Sequence, residues 1–258
     1  VPSREDLGRI AEALAAARDL VAALPHAARS ARAKQGGDPV TELDTQMDAR
    51  LRALLPRAGE GWLSEETADD GARLTARRVW VVDPLDGTKE FVAGIPEWAI
   101  SIGLVEEGEA VAGGVCNPAA GVTVVGAVGL GIEVTGAMPR STGARALRDA
   151  EVLASRSEVK RGEWARFASH PFLVVPLGSV AWKLARVAAG LADATWTLSP
   201  KHEWDVAGGA ALVRAAGGAV LGLDGKSPHF NRSQPWLPGL VACAPGLEAE
   251  VRALLGLP

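Results

Sequence analysis

One stretch limits what this chain can fold into more than any other: Val79-Trp80-Val81-Val82-Asp83-Pro84-Leu85-Asp86-Gly87-Thr88-Lys89-Glu90-Phe91. Its β-branched valines around a tryptophan read as a buried strand. Pro84 has no amide to give to a neighbouring strand, so pairing is predicted to stop near Asp83. Two carboxylates, Asp83 and Asp86, then sit where the strand ends. Asp86-Gly87-Thr88 predicts a tight turn or a helix start, because Asp and Thr are good N-caps and glycine lets backbone amides approach a ligand. Acid oxygens beside free amides suit a divalent cation next to a phosphate. They also suit a plain strand-to-helix turn in which Asp86 is only a cap, and the stretch alone leaves both readings open.

The flanks decide the fold class. Residues 3–34 carry an apolar stripe of Leu7, Ile10, Leu14, Leu20 and Val21, which predicts a helix that Pro25 kinks or divides. After a loop at 34–39, Leu43, Met47, Leu51 and Leu54 predict a second helix over 42–55, with Asp44 in its first turn, where an acid complements the helix dipole. Beyond the central stretch, 99–105 and 110–116 read as strands of a hairpin turning at Glu106-Glu107-Gly108-Glu109, and 122–128 pairs with 132–135. From 151 onward the pattern alternates, with strands at 151–155, 172–177, 194–198, 219–223 and 240–244. Helices fall between them at 158–168, 179–189 and 205–216, and another closes the chain at 247–255. Such alternation implies an α/β layer. The chain thus reads as an α+β half, 1–136, and an α/β half, 137–258, meeting at a Gly/Pro/Ser/Arg-rich link and forming one compact unit. Its 258 residues are enough for a sizeable core.

A formal net charge of −4 gives no global footprint for a nucleic-acid polymer or an anionic membrane. No apolar run reaches transmembrane length, and no charged-then-apolar leader opens the sequence, so the cytoplasm is the expected compartment. Cys116 and Cys243 stand alone in apolar, strand-like surroundings and read as core residues, not as a disulfide or a zinc site.

Asp44, Glu65, Asp83, Asp86 and Asp205 all fall at loop or helix-start positions beside hydrophobic structure. Convergence of several such acids is costly unless a cation neutralises them. In order along the chain stand Asp38-Pro39-Val40-Thr41 with Asp44, then Glu65-Glu66, then Asp83-Pro84-Leu85-Asp86-Gly87-Thr88, then Trp204-Asp205-Val206-Ala207-Gly208-Gly209. This set resembles the inositol monophosphatase superfamily of magnesium-dependent, lithium-sensitive phosphatases over nearly the whole chain. The segment from Gly178-Ser179 to Asp193-Ala194 is similar to the family's late helix.

The resemblance implies a layered α-β-α-β-α sandwich of the inositol monophosphatase and fructose-1,6-bisphosphatase type, with the site between the halves. It implies a small-molecule phosphate ester as partner, is compatible with a homodimer, and brings Li⁺ as an inhibitor. Glu65, Asp83 and the Leu85 carbonyl would hold one Mg²⁺; Asp83 would bridge to a second, completed by Asp86 and Asp205. The Gly87 and Thr88 amides would receive the phosphate. Asp44 would hydrogen-bond Thr88 and so orient the attacking water, and Glu66 would support the site or lie near a third, weaker metal. Trp204 would pack. Two Mg²⁺ ions neutralise a dianionic ester, acidify a water and stabilise the leaving oxygen, so no covalent nucleophile is required. An oxygen-only ligand set suits Mg²⁺ over softer metals.

Three features bear on substrate. Thr88-Lys89-Glu90-Phe91 resembles the corresponding run of the 3′(2′),5′-bisphosphate nucleotidases. Lys183 lies in a region where those enzymes hold the extra phosphate, although its spacing from Gly178-Ser179 is one residue longer than in many of them. Leu198 stands where inositol-selective members carry an acid. The expected reaction is hydrolysis of adenosine 3′,5′-bisphosphate to AMP and phosphate. Inositol 1-phosphate or a broad range of sugar phosphates is the alternative, histidinol phosphate a more distant one, and a non-catalytic regulatory protein on the same fold the alternative of another class. Lys89 and Lys183 read equally as surface residues, and Pro200-Lys201-His202-Glu203 as a ligand-facing run or a polar turn.

Overall fold

The structure is a computed structural model that describes residues 1–23, 31–33, 39–136 and 146–258. The first half runs α1 (Arg4–Ala23), β1 (Ala31–Ala33), β2 (Pro39–Thr41), α2 (Glu42–Leu54), β3 (Gly61–Ser64), β4 (Arg78–Asp86), α3 (Thr88–Val92), β5 (Ala99–Glu106), β6 (Glu109–Asn117), β7 (Val122–Ala127) and β8 (Gly131–Thr135). The second half runs β9 (Glu151–Ser155), α4 (Arg156–Lys160), β10 (Leu173–Leu177), α5 (Val180–Ala188), β11 (Ala194–Thr197), β12 (Lys201–His202), α6 (Glu203–Ala215), β13 (Ala219–Leu221), β14 (Trp236–Leu237), β15 (Leu240–Cys243) and α7 (Glu248–Leu255).

Two sheets form the frame. A six-stranded sheet has the order β3-β4-β5-β6-β7-β8 and is antiparallel except for the parallel β3–β4 pair. A five-stranded sheet has the order β10-β9-β11-β15-β13, with β9, β10 and β11 parallel. Strand alternation divides the core into layers. On β4, Trp80 and Val82 pack with Ile10, Leu14, Met47 and Leu51 of α1 and α2, while Val79 and Val81 face α5 and α6. On β9 and β15, Leu153 and Ala242 face α5 and α6, while Val152, Ala154 and Val241 face Leu247 and Val251 around α7. The result is the α-β-α-β-α sandwich that the sequence resemblance implies.

Two elements differ from expectation. The first helix was read to residue 34, but α1 ends at Ala23, two residues before Pro25, whose ring clashes with a helical backbone ahead of it. Ala31–Ala33 is instead a strand, paired antiparallel with Pro39–Thr41. Residues 24–30, 34–38 and 137–145, with Asp38 and most of the link between the halves, lie outside the described residues. The helix expected over 158–168 is one turn, α4, because Gly162 takes a left-handed conformation (φ 80°) and the chain resumes only as a 3₁₀ turn at Ala165–Phe167. No helix among the described residues is long and apolar enough to cross a membrane.

Candidate active site

The site begins with an irregularity in β4. Asp83 pairs with Ser101 of β5 and Asp86 with Ala99, so three steps on one strand match two on the other. The extra residue is a β-bulge, and it falls where Pro84 has no amide to contribute. In a regular strand, residues three apart point to opposite faces. The bulge restores the parity, placing Asp83 and Asp86 on the same side as Val79 and Val81, towards α6. Pairing therefore breaks after Asp83, as the proline predicts, but resumes at Asp86. Within the bulge Asp83 Oδ1 accepts the Leu85 amide at 2.9 Å, and Thr88 Oγ1 donates to the Leu85 carbonyl at 3.1 Å.

Gly87 then turns the chain into α3. Its φ of 95° is left-handed, and a Cβ there would lie 3.0 Å from the Glu97 carbonyl oxygen, so no other residue fits without strain. The carbonyl of Gly87 accepts the Phe91 amide, and Phe91 packs edge-on to Trp98 with ring centres 5.0 Å apart. Thr88 and Gly87 are half-buried and Lys89 is exposed on the next turn.

The other acids arrive on three neighbouring elements. Glu65 follows β3, and its amide donates to the Val82 carbonyl, holding it beside the end of β4. The turn it starts is tied to α2: Asp48 accepts from the Ser64 and Thr67 hydroxyls, and Ser64 Oγ in turn receives the Glu66 amide. Asp44, buried in the first turn of α2, lies one helical turn before Asp48. From the second half, Ser179 caps α5 by accepting the Trp182 amide and gives its own proton to Asp86 Oδ2 at 2.7 Å. The Ala181 amide donates to the same oxygen at 2.6 Å. Asp205 caps α6 from within, accepting the His202 amide at 3.0 Å.

Glycine sets how close α6 comes. A Cβ on Gly113 of β6 would sit 2.2 Å from the Gly208 carbonyl oxygen, and one on Gly208 would sit 2.7 Å from that of Ile102. Backbone thus lies on backbone, and Asp205, one turn earlier on α6, is carried against the same face of the six-stranded sheet as Asp83.

Charge confirms the convergence. Burial pushes the Asp83 carboxyl well above the usual range, and the neighbouring charges of Glu65, Asp86 and Asp205 push it further. Asp205 is raised well above the usual range by burial and then by Asp86 and Glu65. Asp86 is raised by burial, which its donors Ser179 and Ala181 and the nearby Lys183 partly offset. Glu90 is raised too, by burial first, and senses Asp86. Among the described residues no three acidic, histidine or cysteine side chains are drawn closely enough to enclose a metal ion as they stand. Asp83, Asp86 and Asp205 are each turned towards an amide of their own surroundings. The residues nonetheless fit Mg²⁺: four carboxylates face one another from separate, rigid elements, all their donors are hard oxygens, and their mutual repulsion is what a divalent cation relieves.

Of the remaining predicted residues, Lys183 is not on a solvated helix face. It is 3% exposed, and its ammonium donates to the Ser179 carbonyl at 2.9 Å and towards that of Leu177. Burial lowers it to about 8, against the pull of Asp86. Glu66 is half-buried behind Glu65, and Trp204 stacks flat on His202 with ring centres 4.3 Å apart. Lys201 of the polar run pairs with buried Glu158, which also takes the Thr197 hydroxyl and the Trp164 indole. Sequence reasoning missed four supports. Asp48 was signalled only by its four-residue spacing from Asp44. Ser179 was visible as a cap but not as a donor to Asp86. Glu203, fully buried, receives the Asn231 and Arg232 amides at the foot of α6. Glu97 spans the halves, pairing with Arg156 and receiving the Gly178 amide at 2.8 Å. The last two depend on partners far away in sequence and carry no local signal.

Comparison with known proteins bears on the same residues. The inositol monophosphatase family matches residues 5–254. An inositol-1-monophosphatase of Mesorhizobium japonicum is 35% identical over 201 residues, covering 74% of this chain and 75% of that protein. A 3′-phosphoadenosine 5′-phosphate phosphatase of Mycobacterium leprae is 37% identical over 207 residues, covering 76% and 72%. Among solved structures, a Thermotoga maritima IMPase superposes with a TM-score of 0.79 at 27% identity, covering 98% of this chain and 96% of that one.

Proposed function

From the premise that the chain belongs to the inositol monophosphatase family, we propose that it is a Mg²⁺-dependent phosphomonoesterase whose site lies at the end of β4. The observation that carries this reading is the convergence of Glu65, Asp83, Asp86 and Asp205, whose charges raise one another's carboxyls. Glu65, Asp83, the Leu85 carbonyl, Asp86 and Asp205 would hold the metal, with Glu66 in support. Once bound, Mg²⁺ neutralises the ester's charge, acidifies a water and stabilises the leaving oxygen. The chain's own residues do the rest. The Gly87 and Thr88 amides at the start of α3 orient the phosphate. Thr88 Oγ1, already beside the Leu85 carbonyl, and Asp44 on α2 align the attacking water and draw its proton away. Ser179 and Ala181 fix the carboxylate of Asp86 from the second half.

For the substrate we propose adenosine 3′,5′-bisphosphate. Lys183 and Lys201 gather positive charge on the second half beside Asp86 and Asp205, and Leu198 offers a sugar no carboxylate. Lys89 stands exposed at the entrance. A second reading, inositol 1-phosphate or a range of sugar phosphates, is favoured by the relatives that carry that activity in their names. Phosphate release with Mg²⁺ is the test, run in parallel on adenosine 3′,5′-bisphosphate, inositol 1-phosphate, fructose 1,6-bisphosphate and histidinol phosphate. A kcat/KM at least tenfold higher for the adenosine bisphosphate is expected. A flat profile or an inositol preference would discard the substrate and keep the phosphatase, and no release from any ester would discard both.

A further inference from the structure

Ser101 has no part in the ligand set, yet it stands at its centre. It is fully buried, and its hydroxyl has no hydrogen-bond partner in the structure. A buried hydroxyl without a partner is uncommon, because its desolvation is uncompensated. The ladder places it directly opposite Asp83 across the β4–β5 pair. Cross-strand neighbours share a face, so its side chain lies on the side of Asp83 and Asp86, towards α6. Its other neighbour is α6 itself: a Cβ on Gly208 would lie 2.8 Å from Ser101 Oγ. Gly208 is one turn along α6 from Asp205. The orphan hydroxyl thus sits between the strand that carries Asp83 and the helix that carries Asp205.

We propose that Ser101 is a positioning residue for the metal site, its hydroxyl donating to the Asp83 carboxylate when Mg²⁺ is bound. Asp83 Oδ1 is already committed to the Leu85 amide. A donor from the opposite strand fixes the carboxylate plane from a second direction, and a hydroxyl that rotates freely does this without moving the backbone. Partners of this kind behind metal-ligating carboxylates change metal affinity by about 10- to 100-fold when removed. The inference rests on the reading of Asp83 as a metal ligand.

The test compares wild type with Ser101→Ala in three measurements: the melting temperature in EDTA, the Mg²⁺ concentration giving half the Mg²⁺-induced rise in melting temperature, and the Mg²⁺ concentration giving half-maximal phosphate release. We expect an unchanged or higher melting temperature in EDTA, since the variant loses a polar group that had no partner. Both Mg²⁺ midpoints should rise about tenfold or more, with kcat at saturating Mg²⁺ within about threefold of wild type. Midpoints equal to wild type would overturn the proposal, as would a loss of stability in EDTA large enough to account for the whole effect. If Ser101→Ala does not fold, Ser101→Cys, a weaker donor of similar size, must raise both midpoints in the same direction. Wild type that shows no Mg²⁺-induced stabilisation would refute the metal reading itself; wild type that responds while the variant matches it refutes only the role of Ser101.

Discussion

Replacing Asp83 with asparagine should abolish phosphatase activity and make the metal-free protein more stable. Asp83 is 1% exposed, and its carboxyl is raised by burial and then by Glu65, Asp86 and Asp205. A carboxyl raised above its unfolded value near 3.9 keeps its proton in the folded state at pH values where the unfolded chain has lost it. The folded state then binds more protons, so the stability of metal-free protein falls as pH rises from about 4 towards the folded value. Each unit of upward shift costs about 1.4 kcal/mol at pH values above both, or roughly 3 °C of melting temperature for a chain of this size. Asparagine removes the charge and leaves an amide oxygen to accept the Leu85 amide, so that cost disappears. Scanning calorimetry in EDTA at a series of pH values is the assay. The Asp83→Asn variant should melt about 3 °C or more above wild type at pH 8, and the gap should close as pH falls towards 4. With saturating Mg²⁺ the order should reverse, since wild type gains a ligand that the variant binds poorly. A variant that is less stable in EDTA at pH 8, or a gap that does not depend on pH, would refute the claim that the four carboxylates strain one another.

Gly208→Ala should cost roughly 2 kcal/mol, because the new methyl meets the Ile102 carbonyl oxygen at 2.7 Å and α6 must move; kcat should fall with it as Asp205 shifts, and a melt and rate equal to wild type would count against the close approach. Lys183→Ala should lower kcat/KM for adenosine 3′,5′-bisphosphate more than for a monophosphate in the phosphate-release assay; equal losses would confine Lys183 to holding the Leu177 and Ser179 carbonyls. Li⁺ should inhibit Mg²⁺-dependent turnover, measured as a falling rate at fixed Mg²⁺, and indifference to it would count against the proposed site.

Residues that act through their immediate neighbours were legible in the sequence. Val79 to Val82 declared a buried strand by composition, Pro84 marked where its pairing fails, and Gly87 marked a turn that only glycine makes. The alternating layers followed from the spacing of apolar runs. The bulge was not legible, because it is a property of register with Ala99 and Ser101, and a single strand holds no record of its partner. For the same reason β3 was missed: Gly61-Trp62-Leu63-Ser64 is short and becomes a strand only by pairing with residues 79–82. Lys183 shows the limit for side chains. Its place on a helix was clear, but whether its ammonium meets water or two carbonyls depends on how α5 seats against the sheets.

The arrangement also explains why acids of such different sequence position are needed together. Glu65, Asp83 and Asp86 come from the first half and Asp205 from the second, and Asp86 takes both its close donors, Ser179 and Ala181, from the second half. The hydrogen bonds that orient a ligand of one half are therefore supplied by the other. Glu97 adds a bond of the same kind outside the site, reaching Arg156 and the Gly178 amide immediately before Ser179. The ion pair itself is half-exposed and contributes little, but the amide bond fixes the residue that precedes the α5 cap, and so fixes the donor to Asp86. The repulsion among the four carboxylates acts against the same junction that these bonds hold. A divalent cation removes the repulsion while leaving the bonds in place, so binding of metal and closure of the junction favour each other by linkage.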